Sequence, residues 1–473
     1  MQVRTHTARL ATLAVTTTAL LGAVLAPASA DDSPPDPIPA LSGYDRLWRS
    51  DGINDLHGTV LDGATLARND QLVTWINRHA TRPQQFRALQ QAEYDDGESY
   101  DQSLTIADGL GSRLGRYYVE GRLSGRLPKT SALVNSEDGS TGAFLGTSEA
   151  KKRFSHPRPY LPVDADAAPV PGDAAGCAPS IVNASSLKGN RIGKPWADAS
   201  GNLRIRRVPD AVDRTHRYAD HDVTVSGDYG TTGLCTGGSY PSGHTTTAYQ
   251  AGITLATLLP EVGPEILTSA SEAANNRMVL GVHYPLDIVG GRIDGELALA
   301  TRWSDAGFRA RTLAPARREL VRYLERRCGT SIARCAAHQR PYTSNPYGGQ
   351  RIPGGTAQVV RDRRSATTVY RERLSYGFAP TSSTHRRPSV PRGAQNVLRT
   401  VFPQLTDVQR KAVLEQTEIR SGHPLDASAT RQGSWQRIDL AAAFSATVRI
   451  DRHGHVHVLR TGGKATVVRA HGR

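Results

Sequence analysis

The sequence predicts a mainly α-helical protein, with a helical core interrupted by a long loop insertion and followed by a small C-terminal α+β region. Three observations support this class. Apolar residues recur at three- and four-residue steps through much of residues 61–338. Residues 161–240 lose that periodicity and are rich in Pro, Gly, Ala and Asp. Residues 446–460 have the pattern of a β-hairpin.

Composition narrows the possible functions only slightly. The chain has 473 residues, of which 38% are hydrophobic, enough for two or three domains. After residue 30 there is no run of 18 apolar residues, which excludes a multi-pass membrane protein. The net charge of +14 suits nucleic acid, an acidic surface or an anionic substrate. Nearly all of the basic residues are arginine, a skew typical of GC-rich coding, so charge alone selects no partner.

Residues 1–30 have the pattern of a secretory signal peptide. Arg4 and Arg9 give a positive start, residues 10–26 are small and apolar, and Ala28-Ser29-Ala30 fits a cleavage site. A membrane anchor is the alternative, but the apolar stretch is short and diluted by threonine. We therefore expect a secreted protein whose mature chain has no transmembrane segment.

Export gives the four cysteines a meaning, because an oxidising compartment favours disulfides. Cys328 and Cys335 are close in sequence and favour one pair, which leaves Cys177 and Cys235 for a second. The spacing does not fit a zinc cluster. The sequence alone does not fix the connectivity.

The remaining elements follow in chain order. Residues 31–60 are predicted to form a leader, which begins with a Pro-rich stretch. Residues 61–338 are predicted to form the helical domain, with its insertion at 161–240. Residues 339–473 are predicted to form a separate C-terminal tail or small domain of unassigned role. Periodicity and capping residues predict the helices. These include one around residues 66–76, a longer one through 104–118, one within 142–153, four over 243–259, 263–280, 283–303 and 313–327, and one from Thr406 to about 417.

Three short blocks carry residues suited to chemistry. The first runs from Lys151 to Pro159, the second is Gly-Ser-Tyr-Pro-Ser-Gly-His-Thr at 238–245, and the third runs from Asn276 to Asp287. Each block alone has an ordinary structural explanation: a solvated basic surface, a helix cap or a surface ion pair. All three in this order and spacing are far more specific.

Together the blocks could bind and transfer a phosphoryl group. Lys151, Arg158 and Arg277 supply cations for the nonbridging phosphate oxygens. Ser242 offers a hydroxyl, and Gly243 lets a backbone N–H approach an anion where a helix begins.

Two histidines remain for the covalent chemistry. His283 and Asp287 are four residues apart, so on a helix they would share one face. Asp287 would then fix the tautomer of His283 and leave its other ring nitrogen free to attack phosphorus. His244 would protonate the departing alkoxide and later activate water.

The motifs Lys-x6-Arg-Pro, Pro-Ser-Gly-His and Arg-x5-His-x3-Asp resemble the signature of the type 2 phosphatidic acid phosphatase superfamily. The second block further resembles the secreted bacterial class A nonspecific acid phosphatases. The resemblance covers roughly residues 60–305 and implies an all-helical core and metal-independent hydrolysis of phosphate monoesters without a cofactor. It implies these roles: phosphate ligands Lys151, Arg158, Ser242, Gly243 and Arg277, general acid His244, nucleophile His283, and its partner Asp287.

This sequence departs from the pattern in two places. Asn276 precedes Arg277 where the family usually has serine, and an amide can still form hydrogen bonds. The stretch between Pro159 and Pro241 is also longer than usual and rich in Lys and Arg. One hypothesis makes it a lid held by Cys177–Cys235 that shapes substrate choice; a passive surface insertion is equally compatible.

Other functions fit parts of the pattern. A vanadium-dependent haloperoxidase would hold vanadate in the same oxyanion pocket, and a lipid phosphatase would act on extracted lipid phosphates. A noncatalytic anion- or nucleic-acid-binding protein would not need both His244 and His283. The short spacing and the Gly-Ser-Tyr before the second block favour the phosphatase. We therefore expect small phosphorylated substrates and no specific nucleic-acid partner, while physiological substrate and oligomeric state stay open.

Overall fold

The structure of the chain is a computed structural model that describes residues 33–51, 56–92, 100–160, 184–227, 229 and 237–469. Helices dominate these residues, so the predicted mainly α-helical class is confirmed. No helix in the described ranges is both long enough and apolar enough to cross a bilayer. The predicted signal peptide and the cysteines at 177 and 235 lie outside the described residues.

The helices are numbered here in chain order. They are α1 (Ile38–Leu41), α2 (Gly63–His79), α3 (Arg82–Gln90), α4 (Gln102–Ile106), α5 (Ser112–Leu123), α6 (Pro128–Val134), α7 (Ser148–Phe154), α8 (Ser185–Arg191), α9 (Gly243–Leu258), α10 (Gly263–Val279), α11 (Pro285–Arg302), α12 (Ala306–Phe308), α13 (Ala314–Cys328), α14 (Ile332–Ala337), α15 (Arg363–Arg373), α16 (Asp407–Thr417) and α17 (Leu440–Phe444).

The centre of the fold is the packing of α9 against both α10 and α11. Nearly every residue of these three helices is buried. Small residues allow the close approach. A Cβ on Gly252 of α9 would lie 2.5 Å from Cβ of Ala270 on α10, and a Cβ on Gly291 of α11 would lie 2.5 Å from the Ser242 carbonyl oxygen. The start of α9 is therefore pressed against the first turns of α11.

Within the residues that the structure describes, strands form three small sheets. The antiparallel pairs are β1 (Trp48–Ser50) with β2 (Gly58–Val60) and β3 (Ala211–Asp213) with β4 (Val223–Val225). The predicted C-terminal hairpin is present as β5 (Thr447–Ile450) and β6 (Val456–Arg460), and a third strand, β7 (Thr466–Arg469), adds parallel to β5.

The C-terminal region does not stand apart as a separate tail or small domain. The described residues from 34 onward form one compact unit, and most buried apolar residues after 338 share one hydrophobic cluster with the helices. The Phe444 ring, for example, lies where a Cβ on Gly263 of α10 would be only 2.5 Å away. On α11, Arg292 donates hydrogen bonds to the carbonyls of Trp435 and Gln436. The region is thus part of the core that supports α10 and α11.

Several element boundaries differ from the sequence prediction. The helix predicted through 104–118 breaks at Gly111, where φ is 85°, a left-handed conformation that no helix can continue. The helix predicted within 142–153 is confined to α7. The described part of the 161–240 insertion is not only loop, since it contains α8 and the β3–β4 pair. The Cys328–Cys335 disulfide is present as predicted.

Candidate active site

The second block forms the start of α9. Ser242 is the N-cap, and its Oγ accepts hydrogen bonds from the N–H and the hydroxyl of Thr245 at 3.3 and 3.0 Å. The Ser242 N–H donates to the backbone carbonyl of Asp287 at 3.1 Å. A Cβ on Gly243 would lie 3.1 Å from Oγ1 of Thr147, so this glycine lets the segment before α7 approach the helix end. The second and third blocks are therefore in direct contact.

His283 lies just before α11 rather than on it. The helix begins at Pro285 with Tyr284 as its N-cap, so the predicted placement of His283 and Asp287 on one helix face is wrong. The two side chains still meet: Nδ1 of His283 is 3.1 Å from Oδ2 of Asp287. That same carboxylate oxygen accepts the Tyr284 N–H at 2.8 Å. Asp287 acts as the third residue of its helix, turned back to hold the segment before it.

Arg158 contacts His283 from the other side of the ring. Its Nη1 is 3.0 Å from Nε2 of His283 and 3.1 Å from the Val282 carbonyl oxygen, while its Nε donates to the Gly237 carbonyl at 3.1 Å. Since arginine can only donate, Nε2 of His283 must be the acceptor and the ring proton must be on Nδ1, facing Asp287.

Lys151 is directed into the same region. Lys151 is on α7, and its ammonium group donates a hydrogen bond to the carbonyl of Gly238. The carbonyl of the preceding residue, Gly237, accepts the bond from Arg158. Ser239 adds a backbone bond between the two segments, from its N–H to the His156 carbonyl at 2.8 Å. The first block is thus aligned along the residues that lead into the second.

His244 and Arg277 meet at one backbone oxygen. Nε2 of His244 hydrogen-bonds the Ala92 carbonyl, and Nη1 of Arg277 lies 3.4 Å from the same oxygen. Both side chains therefore contact the backbone just after α3. Asn276, the departure from the family pattern, does form hydrogen bonds: its amide joins Gln84 and Gln91, each at 2.7 Å.

The electrostatics of the site follow from an excess of buried positive charge. Burial, then the charges of Arg158, Lys151 and Arg277, lower the pKa of His283 well below its ordinary value. Burial and Arg277 likewise lower the pKa of His244. Burial raises the pKa of Asp287 to about 7, against the opposing influence of the Tyr284 N–H and of the nearby cations. A bound anion would offset this charge.

Two contributors were not assigned a role from the sequence. These are Ser239 and His156. The Oγ of Ser239 is 3.5 Å from Oδ1 of Asp287 and 3.2 Å from Nδ1 of His156. His156 is packed against the rings of Tyr44 and Trp48, and burial lowers its pKa to about 3. Both residues stand inside the blocks singled out above, but only three-dimensional contacts connect them to Asp287.

The region that contains the candidate site is similar in sequence to known proteins. Residues 140–310 match the family described as the PAP2 superfamily. An acid phosphatase of Zymomonas mobilis subsp. mobilis is 34% identical over 116 residues, which are 24% of this chain and 44% of that protein. A non-specific acid phosphatase of Providencia stuartii is 29% identical over 109 residues, which are 23% and 44% of the two chains.

The chain thus covers less than half the length of either relative. The resemblance to the type 2 phosphatidic acid phosphatase superfamily and to bacterial acid phosphatases is confirmed. All eight candidate site residues fall inside residues 140–310, the segment that matches the PAP2 superfamily.

Proposed function

We propose that this chain is a secreted, metal-independent acid phosphatase that hydrolyses phosphate monoesters through a phosphohistidine intermediate. The relatives' printed names support the reaction class. In this proposal His283 is the nucleophile, Asp287 its partner and His244 the general acid. The phosphate ligands are Lys151, Arg158, Ser242, Gly243 and Arg277. Small phosphorylated molecules are the substrates.

One observation carries the proposal. The His283 ring is held between a carboxylate at Nδ1 and a guanidinium at Nε2, at 3.1 and 3.0 Å. Its reactive lone pair therefore faces a group that binds phosphate, and its proton faces a group that stabilises the charged ring. Burial and the neighbouring cations also lower the pKa of His283, which favours the neutral ring that a nucleophile needs. The same causes lower the pKa of His244, and the negative charge of the bound substrate would offset those cations and favour the protonated form that a general acid needs.

The reaction would proceed in two steps. The phosphate group binds to the cations and displaces Nε2 of His283 from Arg158. Nε2 then attacks phosphorus, the bond from phosphorus to the ester oxygen breaks, and His244 gives that oxygen a proton. In the second step His244 takes a proton from water, the water oxygen attacks phosphorus, and the N–P bond breaks to release inorganic phosphate. Asp287 stabilises the positive charge on His283 in between.

The first experiment assays the purified protein and its His283→Ala variant on a chromogenic phosphate ester, with and without a chelator. The proposal expects hydrolysis by the wild-type protein, unaffected by the chelator, and loss of turnover in the variant. Retained turnover in His283→Ala would remove the nucleophile assignment.

The same preparation with vanadate, peroxide and halide tests the haloperoxidase alternative. An N-terminus at Asp31 in protein collected from the medium would support export and cleavage.

A further inference from the structure

The described part of the insertion packs behind the segment that leads into His283. The Tyr229 hydroxyl donates to the Leu280 carbonyl at 2.8 Å. The amide of Asn77 on α2 joins the insertion at the Arg206 carbonyl, at 2.9 Å, to the Val279 carbonyl at 2.8 Å. A Cβ on Gly281 would come within 2.3 Å of the Ile205 side chain. Tyr229 and Ile205 of the insertion, together with Asn77 of α2, therefore pack against residues 279–281.

The insertion also supplies a buried arginine that contacts Tyr284, the residue after His283. At the end of α8, Arg191 forms two hydrogen bonds with the Asp70 carboxylate, Nε to Oδ2 and Nη2 to Oδ1, both at 3.0 Å. Its Nη2 also donates to the Tyr284 hydroxyl at 2.7 Å. None of the three residues is more than 2% exposed. A lysine could not make this set of bonds, because it lacks the planar fork of the guanidinium group.

Tyr284 connects this cluster to the proposed nucleophile. It follows His283 directly, and its N–H donates to the same Asp287 oxygen that faces Nδ1 of His283. The residue before Asp70 holds the next turn, since Oδ1 of Asn69 accepts the Leu286 N–H at 3.1 Å. Helix α2 therefore fixes the start of α11 at two points, and one of them passes through Arg191.

We propose that Arg191 is a positioning residue for His283, acting through Tyr284, and that the insertion supplies it for this purpose. The inference rests on the proposed function, because positioning matters only if His283 reacts. Arg191 does not contact the phosphate pocket residues through any bond described above. The hydrogen bond from Arg191 fixes the ring of Tyr284 and therefore restrains its backbone. Because Tyr284 follows His283 directly, this restraint also sets the distance between His283 and Asp287. Small displacements of reacting groups are costly for turnover even when binding is unaffected.

The simpler explanation is a buried ion pair that contributes only to stability. The chain offers a matched control for that explanation. Arg437 in the C-terminal region is equally buried, pairs with Glu418 and donates to the Ile419 carbonyl at 3.0 Å. An Arg437→Gln variant therefore loses a buried arginine whose own hydrogen bonds and ion pair go to residues 387–428 and not to residues 279–287.

The test compares Tyr284→Phe, Arg191→Lys, their double variant and Arg437→Gln. Tyr284→Phe removes only one hydroxyl and keeps the ring that packs in the core. We expect kcat to fall about 10-fold in each single site variant, with little change in KM, and the double variant to match the singles. Arg437→Gln should lose thermal stability but retain kcat. Unchanged kcat in both single variants, or multiplied losses in the double variant, would overturn the proposal.

A second measurement separates this inference from the proposed function. Hydrogen–deuterium exchange of peptides covering residues 279–290 should be faster in Tyr284→Phe and Arg191→Lys than in wild-type protein and Arg437→Gln. Unchanged exchange would overturn the positioning of this segment. If the wild-type protein hydrolyses no phosphate ester, or His283→Ala remains active, the proposed function fails, while the exchange result still decides whether Arg191 and Tyr284 hold the segment.

Discussion

Nη1 of Arg158 lies 3.0 Å from Nε2 of His283, so a guanidinium group covers the lone pair of the proposed nucleophile. Both groups are buried, and each has other partners that keep it in place. In the proposed mechanism phosphate takes the place of His283 on Arg158. Binding of the substrate would then expose the nucleophile, so substrate affinity and reactivity should depend on the same arginine.

Arg158→Lys tests that dependence. Lysine keeps the charge but cannot bond the Gly237 carbonyl, the Val282 carbonyl and the substrate together. We expect kcat/KM to fall about 100-fold, with a higher inhibition constant for inorganic phosphate. Steady-state kinetics on a chromogenic ester measure both. Arg153→Lys is the control, because Arg153 is exposed and pairs with Asp45 at 2.9 Å. Equal kinetics for the two variants would contradict the assignment.

Asp287→Asn tests the partner of the nucleophile. The amide keeps the shape but loses the charge that stabilises a protonated ring, and it can present an N–H to Nδ1 and favour the wrong tautomer. We expect kcat to fall about 10²- to 10⁴-fold. Asp294→Asn is the control on the same helix, since burial raises the pKa of Asp294 well above its ordinary value and the amide resembles the protonated acid. Comparable losses in both variants would show a general effect of changing α11.

His244→Asn tests the general acid through the leaving group. An aryl ester with a weakly basic leaving oxygen needs little protonation, whereas an alkyl ester needs much. The loss of kcat/KM should therefore be at least about 10-fold greater on an alkyl phosphate than on p-nitrophenyl phosphate. The two substrates serve as controls for each other in the same protein sample. An equal loss on both would mean that His244 does not supply the proton.

The buried His156 side chain should make the free energy of unfolding depend on pH. Burial lowers its pKa to about 3 in the folded chain, whereas the unfolded chain has a value near 6.5. Between these values the unfolded chain binds a proton that the folded chain does not, so the free energy of unfolding falls as the pH falls. From pH 7 to pH 4 this residue should account for about 3 kcal/mol.

Denaturant unfolding of His156→Phe at both pH values measures that contribution. Whatever the stability of the variant at pH 7, its free energy of unfolding should fall between pH 7 and pH 4 by about 3 kcal/mol less than that of the wild-type protein. His423→Phe is a control with a half-buried histidine. An equal pH dependence in wild-type protein and His156→Phe would contradict the buried neutral state of His156.

The sequence predicted local features well where neighbouring residues decide them. The N-cap at Thr406, the start of α9 at Ser242 and the pairing of Cys328 with Cys335 depend on short-range chemistry. The sequence prediction failed where backbone conformation mattered, as at Gly111, and where Pro285 begins α11 after His283. His283 meets Asp287 through a turn and not along a helix face.

Long-range contacts explain most of what the sequence did not predict. The Ala92 carbonyl contacts both His244 and Arg277, but no motif in the sequence around Ala92 predicts these contacts. Arg191 is one basic residue among many in the insertion, and only the fold places it between Asp70 and Tyr284. The C-terminal region likewise lacks a recognisable motif, and its buried side chains show its structural role only through packing on α10 and α11.

The most direct measurement is to trap the covalent intermediate. The protein is mixed with a phosphate ester, quenched within one turnover into alkaline denaturant, digested and analysed by mass spectrometry. We predict one phosphoryl group on the peptide that contains His283, absent from His283→Ala and prolonged in a variant that cannot activate water, such as His244→Asn. A phosphoryl group on any other residue, or full turnover by His283→Ala, would contradict the proposed mechanism.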